Sequence, residues 1–288
     1  MSLKEILQRA TKEHWAIGHF NISNAEQLRG IVQAAKECLT PVMIGTSQGE
    51  RDALGLYQSV YLVRAFCEEY GIPIFLNADH SKNFDTAKAA VDAGYDSIHI
   101  DASELSYEEN VEVTGRVVEY VKAKNPEISV EGELGYLRGS SSLQQVTIAV
   151  RQEDLTDPAK AGEFVKRTGV NRLAVVVGNS HGISLDEPCL DIERIAAIRR
   201  QIPAQVALVL HGGSGIPDRQ IEQSIDAGIA NIHINTEIRL VFTDALRNFL
   251  AAHPEETTPY KYYPDAIDAV RQKVKEKLQI FQSCGRIT

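Results

Sequence analysis

Short apolar runs alternate along this chain with longer stretches in which apolar residues recur every three or four positions. The short runs fall at residues 15–21, 41–47, 72–79, 97–101, 129–134, 172–178, 204–211 and 231–235. They are rich in β-branched residues and bounded by Gly, Pro, Asn or Asp, and they predict strands. The periodic stretches predict helices over 24–39, 56–70, 84–93, 107–124, 158–168, 192–201 and 217–227, with two more over 237–252 and 264–282. Several of these close on glycine before the next strand, as in Tyr70-Gly71, Ala93-Gly94, Thr168-Gly169 and Ala227-Gly228. Glycine takes the left-handed conformation of a helix end at little cost. About eight β–α units follow one another without a long linker or a low-complexity tract. This predicts an α/β fold, a single (β/α)8 TIM barrel over residues 1–288, with an extra N-terminal helix and a C-terminal helical extension. A doubly wound open sheet is the alternative, weakened because no Gly-x-Gly-x-x-Gly follows the first strand.

Bulk composition narrows the function more than the fold. The 288 residues carry 43% hydrophobic and 24% charged side chains, ordinary for a soluble globular chain. No apolar run reaches the roughly 20 residues of a membrane span. Ser2 to Arg9 reads as an amphipathic helix rather than a signal peptide. Cys38, Cys67, Cys189 and Cys284 are scattered without a Cys-x-x-Cys pair, which suits reduced thiols and a cytoplasmic location. A net charge of −9 argues against a nucleic-acid surface. Phosphates would need a locally prepared pocket.

The C-terminal ends of barrel strands form the active face of this fold. The predicted ends carry Asn21, Ser47, Asp79-His80, Asp101, Glu131 with Glu133, His181, His211, and His233 with Asn235. His80, His181 and His211 can offer three imidazole nitrogens to one divalent cation and leave positions open, as a catalytic zinc site requires. His181 and His211 each precede glycine, in Asn179-Ser180-His181-Gly182 and His211-Gly212-Gly213-Ser214-Gly215. The second turn runs into Pro217 and a helix start, where backbone N–H groups can meet an anion. Asp79 is placed for proton transfer, or for orienting a neighbouring histidine. No predicted strand contains a lysine, which disfavours Schiff-base chemistry.

Five motifs carry a resemblance: Asn77-Ala78-Asp79-His80, Glu131-Gly132-Glu133-Leu134-Gly135, Gly178-Asn179-Ser180-His181-Gly182, Leu210-His211-Gly212-Gly213-Ser214-Gly215 and Ile234-Asn235-Thr236-Glu237. In this order and spacing the chain resembles the class II, metal-dependent ketose-bisphosphate aldolases, from Gly18-His19-Phe20-Asn21 to the helix ending near Phe281. It is most similar to their shorter, oligomeric branch, which includes fructose- and tagatose-bisphosphate aldolases. The resemblance implies Zn²⁺, or another divalent metal, held by His80, His181 and His211, with a monovalent cation as a further option. Asp101 and Glu133 match carboxylates that hold an alternative metal position. Asp79 would move the proton at the C4 oxygen. Gly182, Gly212, Gly213, Ser214, Asn235 and Thr236 match a phosphate-binding segment, with Asn21 and Ser47 on the other side. Sugar phosphates would be the partners, and a homodimer or homotetramer the assembly.

Departures from the family pattern leave the substrate open. The Ser-rich loop at 135–142 lacks the expected glutamate that serves as enolising base, so Glu153 or Asp154 is expected to swing in, with His233 the next candidate. His233-Ile234-Asn235 stands where Asn-Ile-Asp is usual. Pro259-Tyr260-Lys261-Tyr262 lacks an arginine for a second phosphate, and Lys261 or Arg138 is expected to replace it. Three functions follow: cleavage of fructose 1,6-bisphosphate in glycolysis and gluconeogenesis, cleavage of another phosphorylated ketose such as tagatose 1,6-bisphosphate, or a metal-binding barrel without aldolase activity.

Overall fold

The computed structural model describes residues 1–144 and 148–287. Eight parallel strands close into a barrel: β1 (Ile17–Asn21), β2 (Val42–Thr46), β3 (Ile74–Ser81), β4 (Ser97–Ile100), β5 (Ser129–Leu134), β7 (Arg172–Val175), β9 (Ala207–Leu210) and β10 (Ile229–Ile234). Ladder pairing runs from β1 through β10 and returns to β1, as Gly18↔Val42 on one side and His19↔His233 on the other. The expected (β/α)8 barrel is therefore the observed fold. Helices α2 (Ala25–Glu37), α4 (Leu56–Tyr70), α5 (Phe84–Ala93), α6 (Tyr107–Lys124), α7 (Pro158–Thr168), α8 (Ile192–Gln201), α9 (Asp218–Asp226) and α10 (Thr236–Ala252) surround it. Among the described residues no helix is long and apolar enough to cross a membrane.

Alternation along each strand sorts the side chains onto two faces. Val42, Ile44, Leu76, Ile98, Ile100, Val130, Leu173, Leu208 and Ile232 point outward into one apolar layer shared with the helices. The inner face is layered along the barrel axis. At its N-terminal end α1 (Leu3–Glu13) closes the mouth, packing Leu3, Ile6, Leu7 and Ala10 on Trp15, Ile17, Met43, Ala207 and Ala230. Ser2 starts this helix, its side chain accepting from the Glu5 N–H. On the barrel's flank α12 (Pro264–Ile280) packs against α2 and α10, and the Ala16 N–H before β1 donates to the Phe281 carbonyl at 2.9 Å; this is the expected C-terminal extension.

Among the described residues five short elements lie outside the expected pattern: α3 (Gln48–Leu54), the two-stranded parallel sheet of β6 (Gly139–Leu143) with β8 (His181–Ile183), a 3-10 turn (Gln152–Asp154) and α11 (Pro259–Tyr262). Each is too brief to show periodicity. The run at 172–178 also stops early as a strand. Beyond Val175, Thr156 bonds both sides of Val176, and the Asn179 amide oxygen accepts from the Val177 N–H at 2.8 Å. That turn delivers His181 onto β8.

Candidate active site

A cavity at the C-terminal end of the barrel is lined by Asn21, Asp79, His80, Ser141, His181, Gly182, His211, Gly212, Ser214, His233, Asn235 and Thr236. All but Ser141 were singled out from the sequence. The His80 ring lies 5.0 Å from that of His181 and 4.9 Å from that of His211, centroid to centroid. His80 has φ +49, a left-handed backbone that is uncommon without glycine and turns its ring out of the strand's alternation. Gly212 takes φ +63 beside the Ser180 carbonyl, where a Cβ would collide, so only glycine lets the two histidine turns approach.

Carboxylates orient two of the three histidines. Asp101 Oδ2 meets His80 Nδ1 at 2.8 Å, and Glu131 Oε1 meets His211 Nε2 at 2.6 Å. Such pairs fix ring orientation and leave the other nitrogen of each ring as the available donor, the usual arrangement around a metal-ligating imidazole. Burial, followed by the nearness of His80, pushes the His181 pKa down to about 3, so its nitrogens stay neutral and able to ligate. The donor atoms fall into overlapping groups within 4.8 Å: Asp79, His80, His99 and His211 in one, and His80, Asp101 and Glu133 in another. The second brings together Asp101 and Glu133, the two carboxylates expected at an alternative metal position, with His80. In the first His99 appears, and His181 does not.

Asp79 is buried, and its two oxygens differ. Oδ2 accepts from Asn21 Nδ2 at 3.0 Å, whereas Oδ1 has no hydrogen-bond partner. Burial opposes its ionisation, but His80, followed by His99, holds its pKa well below the ordinary carboxylate value. Asn21 Nδ2 also donates to Glu50 at 2.9 Å, and Asn235 Nδ2 reaches the other Glu50 oxygen at 3.4 Å. Ser47 lies outside the cavity lining and donates its backbone N–H to Glu50 at 2.6 Å, heading α3. Burial raises the Glu50 pKa.

The structure does not bring the proposed loop residues to this cavity. Arg138 and Asp154 bind each other, Nε to Oδ2 at 2.6 Å and Nη2 to Oδ1 at 2.9 Å, and Asp154 also accepts from the Arg151 N–H. Glu153 is exposed beside Arg151. Lys261 pairs with Glu256 at 3.2 Å, half exposed on α11. Gly213 sits behind the lining, its N–H bonded to the His233 carbonyl.

Several buried residues beside the site carried no role from the sequence: His19, Asn77, His99, Arg172, Asn231 and Glu50. Glu131 reads from the sequence only as a strand-end carboxylate. Most could have been found by parity. His19 and Asn21, Asn77 and Asp79, Ser97, His99 and Asp101, Ser129, Glu131 and Glu133, and Asn231, His233 and Asn235 are polar at every second position of their strands.

Comparisons with known proteins agree with this geometry. The family model described as fructose-bisphosphate aldolase class-II matches residues 1–286. A curated "Fructose-bisphosphate aldolase" of Geobacillus stearothermophilus is 38% identical over 289 residues, covering 99% of this chain and 98% of that protein. A "Probable fructose-bisphosphate aldolase" of Bacillus subtilis (strain 168) is 37% identical, covering 99% of each. The solved structure of the YdjI aldolase from Escherichia coli K12 superposes with a TM-score of 0.84 at 30% identity, covering 100% of this chain and 99% of that one. The chain therefore belongs to the class II fructose-bisphosphate aldolase family, whose members are carbon–carbon lyases.

Proposed function

We propose that this barrel catalyses zinc-dependent, reversible aldol cleavage of a phosphorylated ketose to dihydroxyacetone phosphate and an aldehyde. Fructose 1,6-bisphosphate is the first substrate to consider, from the names of the relatives. The observation that carries the reading is the unpartnered, buried Asp79 Oδ1 in one cavity with His80, His181 and His211. The histidines fit a metal because Asp101 and Glu131 occupy one nitrogen each on His80 and His211 and leave the other free to ligate. A divalent cation held there supplies Lewis acidity at the substrate's carbonyl oxygen.

The chain's own groups account for the rest. Gly182, Gly212, Ser214, Asn235 and Thr236 surround the start of α10, where the positive end of the helix dipole and the Ser and Thr hydroxyls favour a phosphate. Asn21 holds Asp79 by Oδ2, which leaves Oδ1 to take the C4 hydroxyl proton. As the C3–C4 bond breaks, that proton passes to Asp79 and the bonding electron pair stays with the three-carbon phosphate fragment. In the reverse direction Asp79 returns it.

A second reading has its own support. Among the described residues lining the cavity there is no lysine or arginine, and Lys261 and Arg138 are each tied to a carboxylate elsewhere. A ketose bearing a single phosphate needs no second cation. Proton exchange at dihydroxyacetone phosphate, followed in buffer with and without EDTA, tests the metal-dependent aldolase. Exchange that persists after prolonged chelation sinks it. Comparing kcat/KM for fructose 1,6-bisphosphate, tagatose 1,6-bisphosphate and fructose 1-phosphate then separates the substrates. A preference of tenfold or more for the monophosphate selects the second reading.

A further inference from the structure

Arg172 stands at the start of β7 with no solvent exposure, and its guanidinium reaches side chains of five other strands. Arginine only donates hydrogen bonds, so each atom facing it must accept. Nη1 donates to Asn231 Oδ1 at 2.9 Å, Nη2 donates to Asn77 Oδ1 at 3.2 Å, and Nη2 also meets the Ser97 hydroxyl. That hydroxyl donates in turn to Asn77 Oδ1 at 2.7 Å. Neither asparagine can turn over without setting its amide protons against the guanidinium. Asn231 carries an independent check, because its Nδ2 donates to the Ile17 carbonyl at 3.0 Å.

These two amides dictate where the protons sit on a stacked pair of imidazoles. His19 and His233 lie parallel, their centroids 3.5 Å apart with 7° between the planes. Both rings are buried and stacked face to face, an arrangement that disfavours a charge on either. Asn77 Nδ2 has only protons to offer to His19 Nε2, 3.0 Å away, so the His19 ring proton sits on Nδ1. Asn231 Oδ1 has only lone pairs to offer to His233 Nε2, 3.3 Å away, so the His233 proton sits on Nε2. His233 Nδ1 is then bare. It lies 3.5 Å from Asp79 Oδ1, and neither atom has a hydrogen-bond partner.

We propose that Arg172 is a positioning residue that acts through Asn77 and Asn231. It fixes opposite tautomers on His19 and His233, and so presents Asp79 with a bare nitrogen instead of an N–H. The tautomers follow from hydrogen bonding alone; only their consequence rests on the proton-transfer role given to Asp79 above. When Asp79 carries the C4 proton, His233 Nδ1 can accept a hydrogen bond from it. The opposite tautomer would donate to the ionised carboxylate and hold it in that state.

Long-range 1H–15N correlation on full-length protein with 15N-labelled histidine, loaded with one equivalent of Zn²⁺ at pH 7, reads these tautomers directly. His19 should show a pyrrole-like Nδ1 and a pyridine-like Nε2, and His233 the reverse. Each bias should be at least about fivefold, the effect of one ordinary net hydrogen bond. The same tautomer on both rings, or an even mixture on either, overturns the proposal. Asn77→Leu should release the bias on His19 alone, and Asn231→Leu the bias on His233 alone. Arg172→Met combined with Glu131→Gln, which leaves no charge unpaired, should loosen both. If both biases survive that double change, Arg172 does not position the pair. Should the double variant fail to fold, the native spectrum and the two leucine variants still decide. Wild-type tautomers as expected in a protein without ketose-phosphate cleavage would sink the proposed function and leave this inference standing.

Discussion

The eight strands carry two faces of opposite chemistry only one residue apart. On β4, Ile98 points outward into the apolar layer beneath the helices, while Ser97 and His99 point inward. On β7, Leu173 faces out and Arg172 in. Barrel interiors of this fold are usually filled by branched apolar side chains. Here the plug above α1 keeps to that rule, whereas beyond it toward the active face most inward side chains are polar or charged, Ala174 and Val209 being apolar exceptions. Burying such groups costs free energy unless each finds a partner. The outer face therefore supplies stability, and the inner face consumes part of it to hold a fixed arrangement of hydrogen bonds.

The comparison breaks most directly at Arg172. It forms an ion pair with Glu131 at 2.6 Å, and both side chains are fully buried. Arg172→Met leaves the buried Glu131 without its guanidinium partner and with only histidines beside it, which should cost about 3 kcal/mol. Chemical denaturation would measure it, and adding Glu131→Gln should restore a large part. A loss below about 1 kcal/mol for the single change would mean that water reaches the interior and that the two faces differ less than the packing shows.

Asp79 sharpens the contrast from the functional side. Asp79→Ala should lower cleavage by about 10²-fold while bound zinc, measured by metal analysis, is retained. Proton exchange at dihydroxyacetone phosphate should survive better, because it does not use the C4 proton. Equal loss of metal and both activities would show that Asp79 serves only to orient its neighbours.

How much of this was legible in the sequence follows the same division. The outer face gives each strand its apolar character, and the alternation of strands with periodic helices identified the barrel. Single residues at strand ends, such as His80, His211 and Asp79, stood out because polar atoms there meet solvent or ligand. Arg172 did not, because in Asn171-Arg172-Leu173 it looks like the solvated start of a strand. Only the closed barrel shows that this strand begins deep inside, level with Asn77, Ser97 and Asn231. His99 was hidden for a related reason: Ser97-Ile98-His99-Ile100 alternates, but one short strand does not say which face is lined by its neighbours. Glu153 and Asp154 are a different case. Distance along the chain put them on the loop, but the bidentate pair with Arg138 turns Asp154 away from the cavity.

His19 offers a pH test of the inner face. Burial lowers its pKa from 6.5 to about 4. Between those values the unfolded chain takes up a proton that the folded chain refuses, so stability falls as pH falls through this window. Relative to His19→Gln, the wild type should lose about 2 kcal/mol on going from pH 6.5 to pH 5, at about 1.4 kcal/mol per pH unit. His80 and His99, whose pKas are raised, act in the opposite direction in both proteins and drop out of the difference. Parallel denaturation midpoints for the two proteins across this range would show that His19 is solvated.

The smallest expected effect tests whether the faces are independent. Ile98 is fully buried among the outer apolar residues, between two strand neighbours that point into the barrel. Ile98→Val removes one methylene and should cost about 1 kcal/mol of stability. Zinc content, kcat and KM should stay at wild-type values, because the missing group faces the helices and the backbone ladder Ile98↔Val130 still fixes the height of His99. A closely packed layer can also pass strain to its neighbours. If Ile98→Val changes kcat by more than about twofold while the protein stays folded, the outer layer sets the position of the inner one. The histidine arrangement would then depend on helix packing as much as on the hydrogen bonds within the barrel.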